Sequence, residues 1–480
     1  MKPWKLLAAL AVFLGLWWGA DLGRPETGAM AAVAALMAVL WLTEALPLAA
    51  TALLPLVLFP LLGIAATKAV AAKYMNATVF LLLGGFLIAQ ALERWGLHRR
   101  IALAVLGTFG GRPLAVVAGF VCATAFLSMW ISNTAATLVM LPIALAVLGR
   151  FEAALPGDQA RRFAAALLLS LAYAASMGGV MSLVGSPPNL VFARLYQEAA
   201  GAEVDFLRWM LVGVPVGLSL LAVLVGYLYA VCLRRLDRGV DLSAVVAAER
   251  AALGPMSREE KWVAAVFGLT ALLWTTRKGA VFGTVRIPGW QAWLPHGELV
   301  DDGTVAVAMA VLLFLLPARG CTTLLDAGVF ARLPWGVVIL FGGGFALASG
   351  FQDSGLSAWL TTRLGELGGL GRLETMAVVA GGMTFLTELT SNTATTQLVL
   401  PLLVSLARAL ELDPVWLMLP AALSASCAFM FPVATPPNAI VFASGRLAIA
   451  DMVKAGLVLN LAGTLVIVAV AAVLIPQLFG

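Results

Sequence analysis

Apolar residues run along this chain in long blocks divided by short polar stretches. A helix needs roughly 20 mostly apolar residues to cross the ~30 Å hydrocarbon core of a bilayer. The blocks at 6–20, 28–43, 48–64, 78–92, 164–192, 211–233, 262–274, 304–316, 335–350, 415–444 and 452–478 predict about eleven transmembrane helices, an all-α polytopic membrane protein. The first block follows Lys2 and Lys5, but Trp17, Trp18 and Asp21 stand where a small-residue cleavage site would be, so it reads as an uncleaved span. Glu44, at the polar junction after the second block, reads as an interfacial helix cap.

Two further stretches, 113–149 and 373–407, do not fit as single spans. The 37 residues between Arg112 and Arg150 carry no charge and would make one helix of about 55 Å, far longer than a bilayer needs. Crossing twice and entering then returning both leave the arginine-marked ends on one side. We expect re-entrant hairpins here, their non-helical tips surrounded by protein or a water-filled cavity. Blocks 164–192 and 415–444 hold Gly185-Ser186-Pro187-Pro188-Asn189 and Ala434-Thr435-Pro436-Pro437-Asn438. Two prolines remove two donors and disfavour helix just before them, so both blocks are expected to break in their interior.

The chain is a duplicated unit. One offset of 259 carries Gly84-Gly85-Phe86 onto Gly343-Gly344-Phe345, Gly96 onto Gly355, Ser132-Asn133-Thr134 onto Ser391-Asn392-Thr393 and Pro142 onto Pro401, without a gap. Each half then carries its own Pro-Pro-Asn. The expected organisation is an N-terminal span at 1–27, a first repeat at 28–233, a polar linker at 234–261 and a second repeat at 262–480, with a short connecting helix at 321–332. Five crossings separate the fourth span from the ninth, so the repeats are expected to run in opposite directions. Broken helices at matching places of inverted repeats point to a transporter's site near the bilayer midplane.

Composition sharpens this. Of 480 residues 62% are hydrophobic and only 11% charged, with a mean hydropathy of +0.99, far from the about 45–50% apolar and about 25% charged of soluble domains. The net charge of +5 reads as positive-inside bias rather than as a nucleic-acid footprint. Nineteen of the 30 Lys and Arg fall on the side of the N-terminus, which predicts a cytoplasmic N-terminus and, after eleven crossings, an external C-terminus. Cys122, Cys232, Cys321 and Cys427 lack metal or disulfide spacing and read as core residues; His98 and His296 lie far apart in polar loops. With no histidine or aspartate in any motif, an intramembrane enzyme is disfavoured, and no resident metal centre is expected.

What the four motifs offer is oxygen and helix ends. Ser, Thr and Asn side chains and carbonyls freed at breaks suit a hard monovalent cation such as sodium, while exposed helix N-termini suit a carboxylate or another oxyanion. No Lys or Arg lies in 113–149, 163–192 or 375–407. An anionic substrate therefore needs countercharge from bound cations, a physical reason for coupling. One triplet alone would read as polar glue between helices; two in register, each followed by Pro-Pro-Asn, read as a site. The glycine clusters at 84–85 and 342–344 read as close helix packing. Glu388, the one carboxylate beside a triplet, has Met129 as its counterpart and reads as structural rather than as a proton carrier.

SNTAAT, GSPPN, SNTATT and CAFMFPVATPPNAIVF resemble the signature segments of the divalent anion/sodium symporter family, from about Trp41 to the C-terminus. The resemblance implies a homodimer in a bacterial plasma membrane, with scaffold and transport domains moving elevator-fashion. It implies sodium sites at Ser128, Ser132, Asn133 and Gly185 and at Thr387, Ser391, Asn392 and Ala434. It also implies substrate contacts at Asn133, Thr134, Ser186, Asn392, Thr393, Thr435 and Pro436. The approach to the first Pro-Pro-Asn departs from the family pattern, with Met181 and Ser182 where smaller or threonine-containing variants are expected. The expected function is sodium-coupled uptake of C4-dicarboxylates such as succinate, malate or fumarate; the alternatives are the same fold carrying sulfate or citrate, or a dicarboxylate exchanger.

Overall fold

The computed structural model describes residues 3–19, 22–154, 156–234, 236, 243–282, 285–320, 322–365 and 370–479. The first half holds α1 (Pro3–Gly19), α2 (Pro25–Thr43), α3 (Leu48–Ala52), α4 (Leu54–Leu61), α5 (Thr67–Ala72), α6 (Ala77–Arg94) and α7 (Leu97–Leu106). It continues with α8 (Pro113–Ser128), α9 (Asn133–Ala154), α10 (Gly157–Val180), α11 (Pro187–Ala200) and α12 (Phe206–Leu228), which ends in a π-helical turn. After α13 (Ser243–Leu253) come α14 (Arg258–Thr276), the hairpin β1 (Gly279–Phe282) and β2 (Val285–Pro288), α15 (Asp302–Leu315) and the two-residue strands β3 (Pro317–Ala318) and β4 (Thr322–Thr323). The chain closes with α16 (Trp335–Asp353), α17 (Leu356–Gly365), α18 (Arg372–Thr387), α19 (Asn392–Ala409), α20 (Val415–Ser424), α21 (Pro436–Phe442) and α22 (Ile449–Leu478).

Among the described residues, seven helices are long and apolar enough to cross a membrane, and five shorter apolar helical segments accompany them. The protein is an integral membrane protein. Both Pro-Pro-Asn blocks break as expected: Pro187 and Pro436 each sit at the first position of a new helix, where a missing N–H costs nothing. Glu44 is the C-cap of α2 and adopts a left-handed conformation, φ 48°.

Several expectations shift. The third block divides at Leu53, with Pro55 near the start of α4. The polar stretch after α14 contains an antiparallel β-hairpin, and the short connecting helix before α16 is a 3-10 helix confined to Ala327–Arg332. Of the cysteines, Cys427 is buried, Cys232 half-buried and Cys122 exposed on α8, so core packing holds only in part; Cys321 and linker residues 235 and 237–242 lie outside the described residues.

Two packed groups emerge. In one, α10 lies against α8, α9 and α12, while α18 packs on α20 and α22 and α12 on α22; α10 is buried continuously from Phe163 to Val180. In the other, α15 lies along α6, α16 crosses α3 and α4, and α1 pairs with α2. Glycine sets the close approaches of the second group. A Cβ on Gly84 would fall 2.6 Å from the Ala306 Cβ, and one on Gly343, its counterpart, 2.6 Å from the Ala52 Cβ. The glycine pairs therefore do pack helices.

Candidate functional site

Both triplets sit where two helices meet end to start. α8 stops at Ser128, residues 129–132 turn, and Asn133 opens α9; α18 stops at Thr387 and Asn392 opens α19. Ser128 Oγ donates toward Asn133 Oδ1 and the Ala175 carbonyl, 2.6 Å from each. Thr387, at the matching position, donates to Asn392 Oδ1 at 2.5 Å and lies 3.1 Å from the Ala425 carbonyl. Thr137 and Thr396 donate to the carbonyls of Asn133 and Asn392, at 2.8 and 2.7 Å. Ser132 and Ser391 accept from Ala135 N and Ala394 N, capping the new helices.

The two breaks are fastened alike. Asn189 Nδ2 donates to the carbonyls of Gly179 and Ser182, at 2.9 and 2.7 Å. Asn438 Nδ2 donates to those of Ala428 and Phe431, at 3.1 and 3.0 Å. One offset of 249 relates all three residues of each set. Sequence reasoning placed these asparagines in a motif but missed their role. What ties each break to the adjoining tip differs in chemistry. In the first, the Ser182 hydroxyl donates to the Met129 carbonyl. In the second, the Glu388 carboxylate accepts from the backbone N–H groups of Phe429, Met430 and Phe431, at 2.6, 2.8 and 3.2 Å, and from Asn460 Nδ2 at 2.7 Å. All four partners of Glu388 are donors, the complement of a carboxylate, and its structural role is thereby explained.

Oxygens converge at the first tip. A Cβ on Gly179 would meet Asn133 Oδ1 at 2.6 Å and the Gly185 carbonyl at 3.0 Å; one on Gly185 would meet the carbonyls of Gly179 at 2.7 Å and Ser128 at 3.0 Å. Ser128 Oγ joins this set with one proton for two acceptors. The two glycines thus let oxygen atoms approach too closely for a methyl group to fit between them, and oxygen is the donor set of a hard cation. Among the described residues no cluster of His, Cys, Asp and Glu offers an alternative metal site.

One cavity of about 1120 Å³ brings both tips and both breaks together: Ser132, Asn133, Thr134, Gly185, Ser186, Ser391, Asn392, Thr393, Ala434, Thr435 and Pro436 all line it. Ser128 and Thr387 stand buried behind the wall, gripping the asparagines. The helices beginning at Asn133, Pro187, Asn392 and Pro436 start here, and their N-terminal dipole ends favour negative charge. Ser186 and Ser426 approach hydroxyl to hydroxyl at 3.1 Å across the two halves. Four charged residues, Lys5, Glu44, Glu93 and Arg332, also line the cavity.

A separate ionic cluster joins the two groups of helices. Arg277 at the end of α14 is buried and pairs with Asp302 at 2.6 Å and Glu203 at 2.5 Å, and Lys278 reaches Glu203 at 2.6 Å. Burial raises the pKa of Glu203, but Lys278 and Arg277 outweigh it and hold the carboxyl below its usual range.

The chain is similar to curated transporters along nearly its whole length. It is 42% identical over 451 residues to the sodium-dependent dicarboxylate transporter SdcS of Staphylococcus saprophyticus, covering 92% of this chain and 84% of that protein. The SdcS protein of Staphylococcus aureus is 40% identical over the same shares. Among solved structures, the YdaH transporter of Alcanivorax borkumensis shares the fold with a TM-score of 0.56 at 16% identity, covering 84% of this chain and 86% of that one. MtrF of Neisseria gonorrhoeae does so at 0.53 and 13%, covering 85% and 83%. Residues 1–479 match the family described as the sodium:sulfate symporter transmembrane region, and with such relatives the chain belongs to that divalent anion/sodium symporter family, a transporter and not an enzyme.

Proposed function

We propose that the protein is a secondary active transporter coupling sodium entry to uptake of a C4-dicarboxylate such as succinate, malate or fumarate by alternating access. The observation that carries the reading is the single cavity lined by both Ser-Asn-Thr tips and both Pro-Pro-Asn breaks. A dicarboxylate presents two charges and needs two donor clusters. Asn133, Thr134 and Ser186 form one; Asn392, Thr393 and Thr435 form the other, with Pro436 as an apolar contact beside them. Sodium, a cargo ion here, is held by Ser128, Ser132, Asn133 and Gly185 at the first tip and by Thr387, Ser391, Asn392 and Ala434 at the second. With no Lys or Arg inside either tip, the cations supply the countercharge. The named activity of the SdcS relatives agrees.

In this reading α8 and α18, 16 residues and about 24 Å each, are hairpin arms that end inside the hydrocarbon, so that eleven crossings and two re-entrant hairpins make inverted repeats. The group around α10 and α22 is the moving body and the group around α6 and α16 the scaffold, in a homodimer of the bacterial plasma membrane. The mouth beside Lys5 faces the cytoplasm, and the C-terminus lies outside. The family description favours sulfate as the second cargo to test, ahead of citrate. Radiolabelled succinate uptake into proteoliposomes under an inward sodium gradient, against equal potassium, is the deciding experiment. Sodium-dependent accumulation blocked by malate supports the proposal; sodium-independent uptake stimulated by internal succinate means an exchanger, and competition by sulfate or citrate identifies another cargo.

A further inference from the structure

The cavity has a shut counterpart. Its walls include Leu82, Gly85, Phe86 and Ala89 of α6 and Leu138 of α9. The offset of 259 maps these onto Phe341, Gly344, Phe345 and Ala348 of α16 and Gln397 of α19. Where the first set borders open space, the second is closed: α16 packs directly on α19, and Phe341 and Phe345 are fully buried. A Cβ on Gly344 would fall 2.3 Å from the Gln397 Cδ.

Inside this seam Gln397 is fully buried, and neither its Nε2 nor its Oε1 has a hydrogen-bond partner. Its counterpart Leu138 is 54% exposed on the cavity wall. The environments are thus inverted relative to polarity: the leucine faces the water-accessible space and the amide is shut in apolar packing. A buried amide with every bond unmade is penalised, and nothing in the closed seam compensates it. Gln397 lies one helical turn beyond Thr393, on the same face of α19, and Thr393 lines the present cavity. An opening of α16 from α19 like that between α6 and α9 brings the amide into the space in front of Thr393.

Resting on the transport reading above, we propose that Gln397 is a substrate-contact residue of the opposite-facing state. When the α16–α19 seam opens, its Nε2 donates to a carboxylate of the anion arriving from the side away from Lys5. In the present state it makes no contact, so its contribution to binding is one-sided.

The test compares the apparent KM for succinate from the two faces, using right-side-out and inside-out membrane vesicles holding the full-length chain under matched sodium gradients. Gln397→Leu, which copies Leu138, is expected to raise the KM for succinate entering from the face away from Lys5, relative to the KM from the Lys5 face, by fivefold or more. Gln397→Met, similar in shape but lacking the amide, is expected to do the same and serves if the leucine variant does not fold. As a second readout, in a background with the native cysteines replaced by serine, the thiol introduced by Gln397→Cys should react with a membrane-impermeant maleimide only from the face away from Lys5. Equal KM values from both faces in both variants, a shift of equal size on both, or labelling from the Lys5 face would overturn the proposal. Absence of sodium-dependent uptake in the wild-type vesicles would instead count against the transport reading itself.

Discussion

Replacing Glu388 by glutamine keeps the side chain's shape and turns one of its two acceptors into a donor. Oε1 accepts from Phe429 N, Met430 N and Asn460 Nδ2, and Oε2 accepts from Phe431 N at 3.2 Å. With the amide oxygen in the Oε1 position, three bonds survive but lose their charge-assisted part, about 1 kcal/mol each, and the new NH₂ faces the Phe431 N–H, leaving that donor unmet at about 1–3 kcal/mol. Relief of a buried charge offsets part of this, so the net loss is about 2–4 kcal/mol. It falls on the segment between α20 and α21, which carries Ala434 and Thr435 to the cavity. Glu388→Gln is therefore expected to lower the melting temperature of the detergent-purified protein and to raise the sodium concentration needed for half-maximal uptake. Asn460→Ala, which removes one donor of four, should do both more weakly. Wild-type melting and sodium dependence in Glu388→Gln would refute the idea that this shell holds the break in shape.

Asn133→Ala and Asn392→Ala each remove an oxygen gripped by the preceding helix; both are expected to lose sodium-coupled uptake more than tenfold while size-exclusion profiles stay unchanged, and full activity in either would sink the assignment. Gly179→Ala puts a methyl 2.6 Å from Asn133 Oδ1 and should abolish sodium-induced thermal stabilisation without unfolding α10. Because the Glu203 carboxyl is held below its usual range, its contribution is present above the ordinary glutamate pKa of about 4.3 and is lost as pH falls through the lower folded value. Glu203→Gln should accordingly cost about 1 kcal/mol at pH 7, given its partial exposure, with the gap closing below about pH 4 in melting curves.

The interruptions of the long apolar runs were legible because their signals are local. A 37-residue uncharged run cannot be one span, and Pro187 and Pro436 cannot continue a helix. Cavity membership of the triplets followed from register, and their positions at helix starts came with it. What holds the breaks was not legible. The bonds from Ser182 to Met129, and from Phe431 and Asn460 to Glu388, join residues 53, 43 and 72 positions apart, and no period or motif announces such long-range side-chain contacts. The departure at Ser182 was visible only as an oddity; its meaning lies in the counterpart position, where the tip supplies a carboxylate and the break supplies N–H groups. The β-hairpin after α14 was missed because its strands are four residues each, too short for alternation to register against the surrounding polarity.

Register also shows where equal sequence positions live unequally. Trp130 stacks on Phe206, with centroids 6.0 Å apart, and meets Phe267 edge-on at 5.0 Å, whereas its counterpart Leu389 is 72% exposed. Val184 is half-buried while its counterpart Val433 is 85% exposed. At Leu138 and Gln397 the imbalance reverses. Two large apolar side chains left bare beside the second tip, and one amide buried without partners beside the shut seam, are each unfavourable where they stand. Under the proposed cycle a single movement removes all three costs, covering Leu389 and Val433 as Trp130 and Val184 are covered here and exposing Gln397 as Leu138 is exposed here. The present arrangement is then balanced against a second one by its own misplaced side chains, so Leu389→Ser, which lowers the cost of exposure, is expected to shift the resting population toward this arrangement. Reduced accessibility of Gln397→Cys to the impermeant maleimide in that variant would register the shift, and unchanged or increased labelling would refute it.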